Sequence, residues 1–476
     1  MTFTELMALV GSAAFKGTVC ADSRAVGPGD IFVAVSGAHA DGHDYAAGAL
    51  ENGAAYVVCQ RDCGTAAAAT VVVADTAVAL GQLAQQHFGN PSTTLTNLAV
   101  TGTNGKTTVS WLVRSVVQTA GRKCGLIGTI FYDTGQESSH ASLTTPDALQ
   151  VARLARRMVE DGAEYMMIEA SSHALSQNRL AGVPFTAAAF TNLTGDHLDY
   201  HRTAEEYLAA KMRLFTGLPV HGTAVLNAES PAANEIAHHL TQRVLWYGLD
   251  TETDVGGHIH SMDAQRTLFA LSFAGRTELV QTRLIGRHNV SNHLAAAGLC
   301  LAAGFDLTTT AKGLSALEAV PGRLEAVDCG QEFAVLVDYA HTDDALRNVL
   351  GTLAPLKKGR LICVFGCGGD RDRTKRPRMA QVAEEMADMV IVTSDNPRTE
   401  NPEAIIRDIR DGFKRPRSRR IVIEPDRRKA VQRAIAEASA GDIVLLAGKG
   451  HEDYQIIGTE RREFDDRKVA AEFLGA

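Results

Sequence analysis

Short unbroken apolar runs recur along this chain, separated by longer stretches whose apolar residues fall three and four apart. A continuous apolar run of strand length predicts a strand buried on both faces, and helical spacing predicts helices packed over it. Over residues 1–95 the runs IFVAVSG, AAYVVC and TVVVAD alternate with Ala-rich helical stretches, which predicts a small α/β unit. A second unit, 96–320, opens at LTNLAVTGTNGKTT, contains the runs YMMIEA and TAAAFTNL, and ends where Pro321-Gly322 breaks the pattern. A third, 321–476, carries FAVLVD, RLICVFG, MVIVTS and DIVLLAG between helical segments. Strands alternating with helices predict α/β architecture with parallel, doubly wound sheets.

The polar, Gly-rich segments fall just after these strands: TGTNGKTT, EASSHALSQNR, TNLTGDHLDYH, DYAHTDD, GCGGDRD, SDNPRTEN and AGKGHEDYQ. Open α/β sheets bind ligands at the carboxyl ends of their strands. So many such clusters in two units point to one large site built from two sheets. The length of 476 residues implies two to four domains, and 45% hydrophobic with 21% charged residues is ordinary for a soluble protein. A net charge of −8 gives nucleic-acid binding no compositional support, yet leaves room for an anionic substrate held by local arginines and helix N-termini. The eight cysteines show no paired zinc-ligand spacing and read as reduced, mostly buried thiols, which points to the cytoplasm. The N-terminal stretch lacks a signal-peptide pattern, and no apolar run reaches the roughly 20 residues of a membrane span.

The strongest local signal is Gly102-Thr103-Asn104-Gly105-Lys106-Thr107-Thr108, between a strand at Leu98–Val100 and an amphipathic helix. Small residues let backbone N–H groups wrap phosphate oxygens at a helix N-terminus; Lys106 would neutralise β/γ-phosphate charge and the Thr107 hydroxyl would reach Mg²⁺. The full phosphate-loop pattern asks for glycine where this chain has Val100. Glu169 ends a strand, where a carboxylate can hold Mg²⁺ or simply cap a helix. His197 and His201 have a spacing that could bind zinc on a helix, but the glutamate of such a site is missing, and Asp196 and Asp199 are equally available. One histidine beside a Mg²⁺ carboxylate is the better reading. Thr203-Ala-Glu-Glu206 opens a helix on which Tyr207, Lys211 and Phe215 share a face. Burial disfavours the charged form of an amine, and a neutral amine can take up CO₂ as a carbamate, an anion suited to Mg²⁺. On the residues alone, however, Lys211 is expected to extend its ammonium to water. Arg371 and Arg398, the latter in Asp395-Asn396-Pro397-Arg398, could each clamp a carboxylate. Gly448-Lys449-Gly450-His451-Glu452 reads as a substrate- or ammonium-binding loop, and Asp338 and His341 end a strand where turn capping is an equal alternative.

Together TGTNGKTT, EASSHAL, TNLTGDHLDYH, EYLAAK, GRHNVSN, PGRLE, VDYAH, GCGGDRD, DNPRTENP and AGKGHEDYQ, in this order, resemble the Mur ligases, and ADSR and GAHADG extend the resemblance to the N-terminal unit. The resemblance implies a three-domain cytoplasmic monomer with no nucleic-acid partner: a UDP-binding domain, a central ATP-binding domain and a Rossmann-like amino-acid-binding domain. Ser23 and Ala38, His39 and Ala40 would contact the UDP part of UDP-N-acetylmuramoyl-L-alanyl-D-glutamate, and Thr144, Thr145, Ser171, Gln177 and Arg179 would hold the rest. ATP would lie on residues 102–108 with Asn292, Arg323 and Asp338. Mg²⁺ would be held by Thr107, Glu169, His197 and a carbamylated Lys211, which reverses the reading of that lysine from its periodicity; Lys106 would be catalytic. Arg371, Asp395, Asn396, Pro397, Arg398, Gly448 and Glu452 would bind the incoming amino acid, meso-diaminopimelate, because lysine-adding relatives usually lack the arginine of DNPR. The implied activity is ATP-dependent amide formation for peptidoglycan precursors. A lysine-adding ligase and an ATPase switch that makes no bond remain alternatives. One departure stands out: after VDYAHT the family typically has proline, and here Asp343 follows.

Overall fold

Each apolar run marked out above forms a strand. The computed structural model describes residues 1–37, 40–194 and 198–475, and its chain falls into two compact units. The first holds residues 1–257, 271–278 and 291–314. The second holds 258–270, 279–290 and 315–476.

The first unit contains a small parallel sheet in the order Val19–Cys20, Ile31–Val33, Tyr56–Cys59, Thr70–Val72. Its apolar side chains pack on Leu6, Val10, Leu80 and Leu83 from two helices. A larger sheet runs through Thr223–Asn227, Phe185–Phe190, Thr96–Thr101, Tyr165–Glu169 and Cys124–Ile127, all parallel, with an antiparallel edge of Phe131–Asp133 and Ser138–His140. Strand Tyr165–Glu169 is buried throughout, as are Leu98, Ala99 and Val100, because helices cover both faces. Register decides what meets at the carboxyl edge: Val100 pairs with Glu169 and Thr101 with Phe190. The loops after these strands therefore emerge side by side.

The second unit is a six-stranded sheet in the order Glu325–Ala326, Ala334–Asp338, Ile443–Ala447, Leu361–Phe365, Met389–Val392, Ile421–Ile423, parallel except for its first strand. One face packs against helices Asp343–Leu353, Lys375–Met386 and Pro402–Arg410 through Leu346, Leu350, Met379 and Ile409. The other packs against Arg427–Glu437 and Asp466–Leu474 through Val431, Ala434 and Val469. The doubly wound arrangement is the one the alternation of runs predicts. Arg427 and Asp466, both 0% exposed, join the last two helices by an ion pair at 2.6 Å. Asp343 begins its helix directly after the Thr342 N-cap and pairs with Arg378 at 2.9 Å, so a carboxylate stands at the positive end of the helix, where the resemblance leads one to expect proline. All eight cysteines are free thiols. Among the described residues no helix is long and apolar enough to cross a membrane.

Candidate functional site

In the first unit, the segment between Thr101 and the helix Lys106–Thr119 is built on two glycines. Gly102 and Gly105 have φ of 145° and 91°, where a side chain is disfavoured. A Cβ at Gly102 would lie 1.9 Å from Thr191 Oγ1, and one at Gly105 would lie 2.3 Å from Asn292 Oδ1. Neighbouring side chains thus press the loop into shape: Thr191 Oγ1 donates to the Asn104 carbonyl at 2.6 Å, and Asn192 Oδ1 accepts from the Asn104 N–H at 3.0 Å. This closeness places Asn292 beside the loop, and Val100, where the phosphate-loop pattern wants glycine, lies in the strand.

Two amines converge on one carbonyl here. Lys106 Nζ donates to Gly102 O at 2.8 Å and to Thr103 O at 2.9 Å, while Lys211 Nζ donates to Gly102 O at 2.9 Å. Lys211 is 1% exposed and its Nζ lies 4.2 Å from the centre of the Tyr207 ring. The expectation that it extends to water is therefore wrong. Thr203 caps the helix by accepting from Glu206 N at 3.2 Å, and Tyr207, Lys211 and Phe215 all face inward, so the stem runs into the protein.

Glu169 is fully buried. Its Oε2 accepts from Thr107 Oγ1 at 2.9 Å and from Thr129 Oγ1 at 2.8 Å, and its Oε1 accepts from the Thr129 N–H at 3.1 Å. Mg²⁺ favours hard oxygen donors. The Thr107 hydroxyl and the Glu169 carboxylate supply them beside the phosphate loop and fit the ion. Lys211 fits only as a carbamate, because an ammonium repels a cation. His197 lies outside the described residues, as do Ala38 and His39.

The residues expected around the muramoyl-dipeptide are brought together. Thr145 Oγ1 donates to the Glu169 carbonyl at 2.7 Å and accepts from Ser171 N at 3.0 Å. Arg179 reaches the Thr145 carbonyl at 2.8 Å and grips Gln177 Oε1 through Nε and Nη2 at 3.0 and 2.7 Å. Thr144 Oγ1 lies 3.1 Å from Thr129 Oγ1. Ser23 is half-buried at the start of a short helical turn, its carbonyl accepting from Asn52; Ala40 is exposed, its carbonyl accepting from Gly37 N.

In the second unit, four loops meet at the carboxyl edge. Gly369 N donates to Asn396 O, and Arg398 Nη1 donates to Gly369 O at 2.9 Å, so the GCGGDRD and DNPRTEN loops are stapled together. Arg376, 0% exposed, completes the staple by binding both Glu400 oxygens at 3.0 and 2.8 Å, Asp408 at 2.8 Å and the Gly368 carbonyl at 3.2 Å. Arg398 itself adopts a left-handed φ of 51°. Arg371 is exposed and reaches the Asp370 carbonyl. Lys449, also fully buried, donates to Asn396 Oδ1 at 3.1 Å, Glu452 Oε2 at 3.2 Å and Asp395 Oδ1 at 3.4 Å, and Asn396 Nδ2 donates to Glu452 at 2.8 Å. Asp395, Asn396 and Glu452 thus form one polar cluster around Lys449, with Gly448 beside Asp395. Asp338 accepts from Leu324 and Ala340 N–H groups; burial pushes its carboxyl above the usual range, opposed by the nearby Arg323 charge. Burial also holds His341 below its ordinary value. Thr129 and Arg376 are not singled out by the sequence, and Lys449 enters only as part of its loop; the hint available for the two cations is their place in a Gly-rich or acidic segment after a strand.

Residues 18–88, 100–300 and 322–450 match, in turn, the Mur ligase family catalytic domain, the Mur ligase middle domain and the Mur ligase glutamate ligase domain. The chain is 44% identical over 456 residues to a UDP-N-acetylmuramoyl-L-alanyl-D-glutamate–2,6-diaminopimelate ligase of Syntrophomonas wolfei, covering 95% of this chain and 93% of that protein. A ligase of the same name from Gloeobacter violaceus is 46% identical over 461 residues, covering 95% and 92%. A solved structure of a ligase of that name is similar with a TM-score of 0.72 at 36% identity, covering 96% of this chain and 94% of its own. The MurF ligase of Thermotoga maritima, solved with ADP, shares the fold at a TM-score of 0.60 and 19% identity, covering 97% of each chain.

Proposed function

This chain belongs to the Mur ligase family, and from that premise we propose that it joins meso-diaminopimelate to UDP-N-acetylmuramoyl-L-alanyl-D-glutamate at the expense of ATP, in the cytoplasmic supply of peptidoglycan precursors. The observation that carries the reading is the convergence of Lys106, Lys211, Thr107 and Glu169 on one glycine-built loop, in a chain whose relatives with that name match it almost end to end. On this reading residues 1–95 bind the uridine nucleotide, 96–320 bind ATP and 321–476 bind the amino acid.

The D-glutamyl side-chain carboxylate oxygen attacks the γ-phosphorus; an O–P bond forms as the bond to the β-phosphate oxygen breaks and ADP leaves. The diaminopimelate amine then attacks the acyl carbon. A C–N bond forms, the C–O bond to phosphate breaks, and the nitrogen gives up a proton. Lys106 exchanges its carbonyl partners for phosphate oxygens and neutralises charge as it passes to ADP. Gly102 and Gly105 leave the backbone N–H groups open to the phosphates. Thr107, Glu169, His197 and carbamylated Lys211 would hold Mg²⁺, which would supply charge neutralisation for the phosphoryl group in transfer. Asn292, Arg323 and Asp338 seat the nucleotide. Thr144, Thr145, Ser171, Gln177 and Arg179, with Ser23 and residues 38–40, hold the UDP substrate so that its carboxylate faces the γ-phosphate. Arg371, Arg398 and the Asp395–Asn396–Glu452 cluster, with Pro397 and Gly448 shaping it, receive the two ends of diaminopimelate.

Phosphate release with ATP, Mg²⁺ and the UDP-dipeptide, adding meso-diaminopimelate or L-lysine in parallel, tests this. Turnover with diaminopimelate and little with lysine is expected. Equal turnover removes the assignment of the amino acid, and release independent of any amino acid returns the protein to an ATPase.

A further inference from the structure

Thr129 follows the strand Cys124–Ile127 and belongs to none of the motifs above, yet it touches both halves of the first unit's site. Gly128 makes this possible: a Cβ there would lie 2.3 Å from Glu169 Oε1, so only a bare backbone lets the Thr129 N–H reach that oxygen at 3.1 Å. The Thr129 hydroxyl lies 2.8 Å from Glu169 Oε2 and 3.1 Å from Thr144 Oγ1.

A hydroxyl has one proton to donate, and an ionised carboxylate only accepts. With Thr129 donating to Glu169, the bond between the two threonines must be made with the proton of Thr144. The chain then has a direction: Thr144 donates to Thr129, Thr129 donates to Glu169, and Thr107 donates to the same Glu169 oxygen from the phosphate-loop helix. Thr107 keeps its lone pairs, which are what a metal ion needs. Thr144 likewise offers lone pairs rather than a proton, so it suits an N–H or O–H of the substrate and not a carboxylate.

We propose that Thr129 is a positioning residue that couples the UDP-dipeptide subsite at Thr144 to the ATP–metal subsite at Thr107 and Glu169. Any movement of Thr144 on binding its substrate alters the bond that orients Thr129, and Thr129 holds Glu169 by two of its contacts. The inference rests on the assignment of Thr144 and Glu169 made above.

The test is equilibrium binding of UDP-N-acetylmuramoyl-L-alanyl-D-glutamate by calorimetry, with and without Mg²⁺ and a non-hydrolysable ATP analogue, on the full chain. Wild type, Thr129→Val, Thr129→Ser and Thr144→Val are compared. Wild type should bind the UDP substrate at least about fivefold more tightly when the analogue is bound, the low end of ordinary coupling between sites. Thr129→Val, nearly isosteric, should bring that factor to about one while melting within a few degrees of wild type, and Thr129→Ser should restore it; a purely structural role would shift melting and leave the factor alone. Retained coupling in Thr129→Val, or no coupling in wild type, overturns the proposal. Unchanged UDP-substrate affinity in Thr144→Val would sink the assignment of Thr144 itself, a separate failure from that of the coupling.

Discussion

Arg398→Lys isolates the geometry of one side chain from its charge. Arg398 Nη1 donates to Gly369 O at 2.9 Å and to Asn396 O at 3.5 Å, which leaves the Nε–Nη2 edge without a hydrogen bond among the described residues. That edge is the fork that grips a carboxylate through two parallel bonds. The residue is anchored at its backbone as well, with its N–H on Ile456 O and its carbonyl accepting from Gly458 N. Lysine meets the same cost of a φ of 51°, so the substitution changes only the head group. It keeps the charge and loses one of two charge-assisted bonds, each contributing about 1.5–3 kcal/mol. The kcat/KM for meso-diaminopimelate should therefore fall by about 10- to 150-fold. L-Lysine has no distal carboxylate, and its kcat/KM should move by no more than a few-fold. Gly368→Ala gives an independent arm: its Cβ would stand 2.9 Å from Arg398 Nη1 and push the guanidinium aside without altering charge. Both substitutions are assayed by phosphate release with each amino acid. If the two amino acids lose rate equally, or diaminopimelate loses none, Arg398 does not hold the distal carboxylate.

Gly105→Ala should lower kcat/KM for ATP by at least about tenfold, because a left-handed residue costs about 1–2 kcal/mol and the new Cβ would meet Asn292 Oδ1 at 2.3 Å; unchanged ATP use would mean that this loop does not shape the nucleotide site. Asp466→Asn should leave Arg427 buried without its counter-charge and cost about 3–5 kcal/mol, whereas Arg427→Met with Asp466→Leu should cost far less; equal losses in urea denaturation would refute the account of this fully buried pair. His341 is held below its ordinary value by burial, so the unfolded chain takes up a proton below about pH 6.5 that the folded chain resists. Stability should fall as pH drops from 7 to 5, and His341→Gln should flatten that slope; an unchanged slope would place the sensitivity elsewhere. Burial pushes Cys363 and Cys367 up to about 12 while Cys329 is exposed, so maleimide at neutral pH should label Cys329 long before either, as read by peptide mass mapping. Rapid labelling of Cys363 or Cys367 would show that the second unit opens.

What was legible in the sequence was local. Runs such as YMMIE and DIVLLA announce buried parallel strands, because a strand covered on both faces has no polar positions to alternate, and the loops after them follow from chain order. Where the sequence reading falls short, the deciding partner is distant. Thr129 lies 40 residues from Glu169 and 15 from Thr144, and a single threonine after a strand has no pattern of its own. Arg376 looks like a surface arginine in KRPR. Its burial follows from Glu400 and Asp408, which lie 24 and 32 residues onward and meet it only when two strand-end loops and a helix come together. Lys449 stood inside a noticed motif, but its role as the centre of the Asp395–Asn396–Glu452 cluster comes from the parallel sheet, which sets those loops side by side.

Lys211 carries the comparison furthest, because periodicity and structure weigh the same side chain differently. Periodicity sees a cation on an apolar stripe and counts only the cost of drying it, so it sends the amine to water. The folded loop offers a compensating partner that no helical pattern contains: the Gly102 carbonyl, 109 residues away in sequence, with the Tyr207 ring face beside it. Gly102 has no Cβ, and Thr191 closes on the space one would fill, so the conformation that presents this carbonyl depends on the same glycine that shapes the phosphate loop. The carbonyl also receives Lys106, and two ammonium groups on one oxygen repel each other. A phosphate chain placed there would draw Lys106 away from the shared carbonyl, and a carbamate on Lys211 would turn the second cation into an anion. The apolar stripe that argued against a functional Lys211 is thus what carries that lysine inward to the phosphate loop.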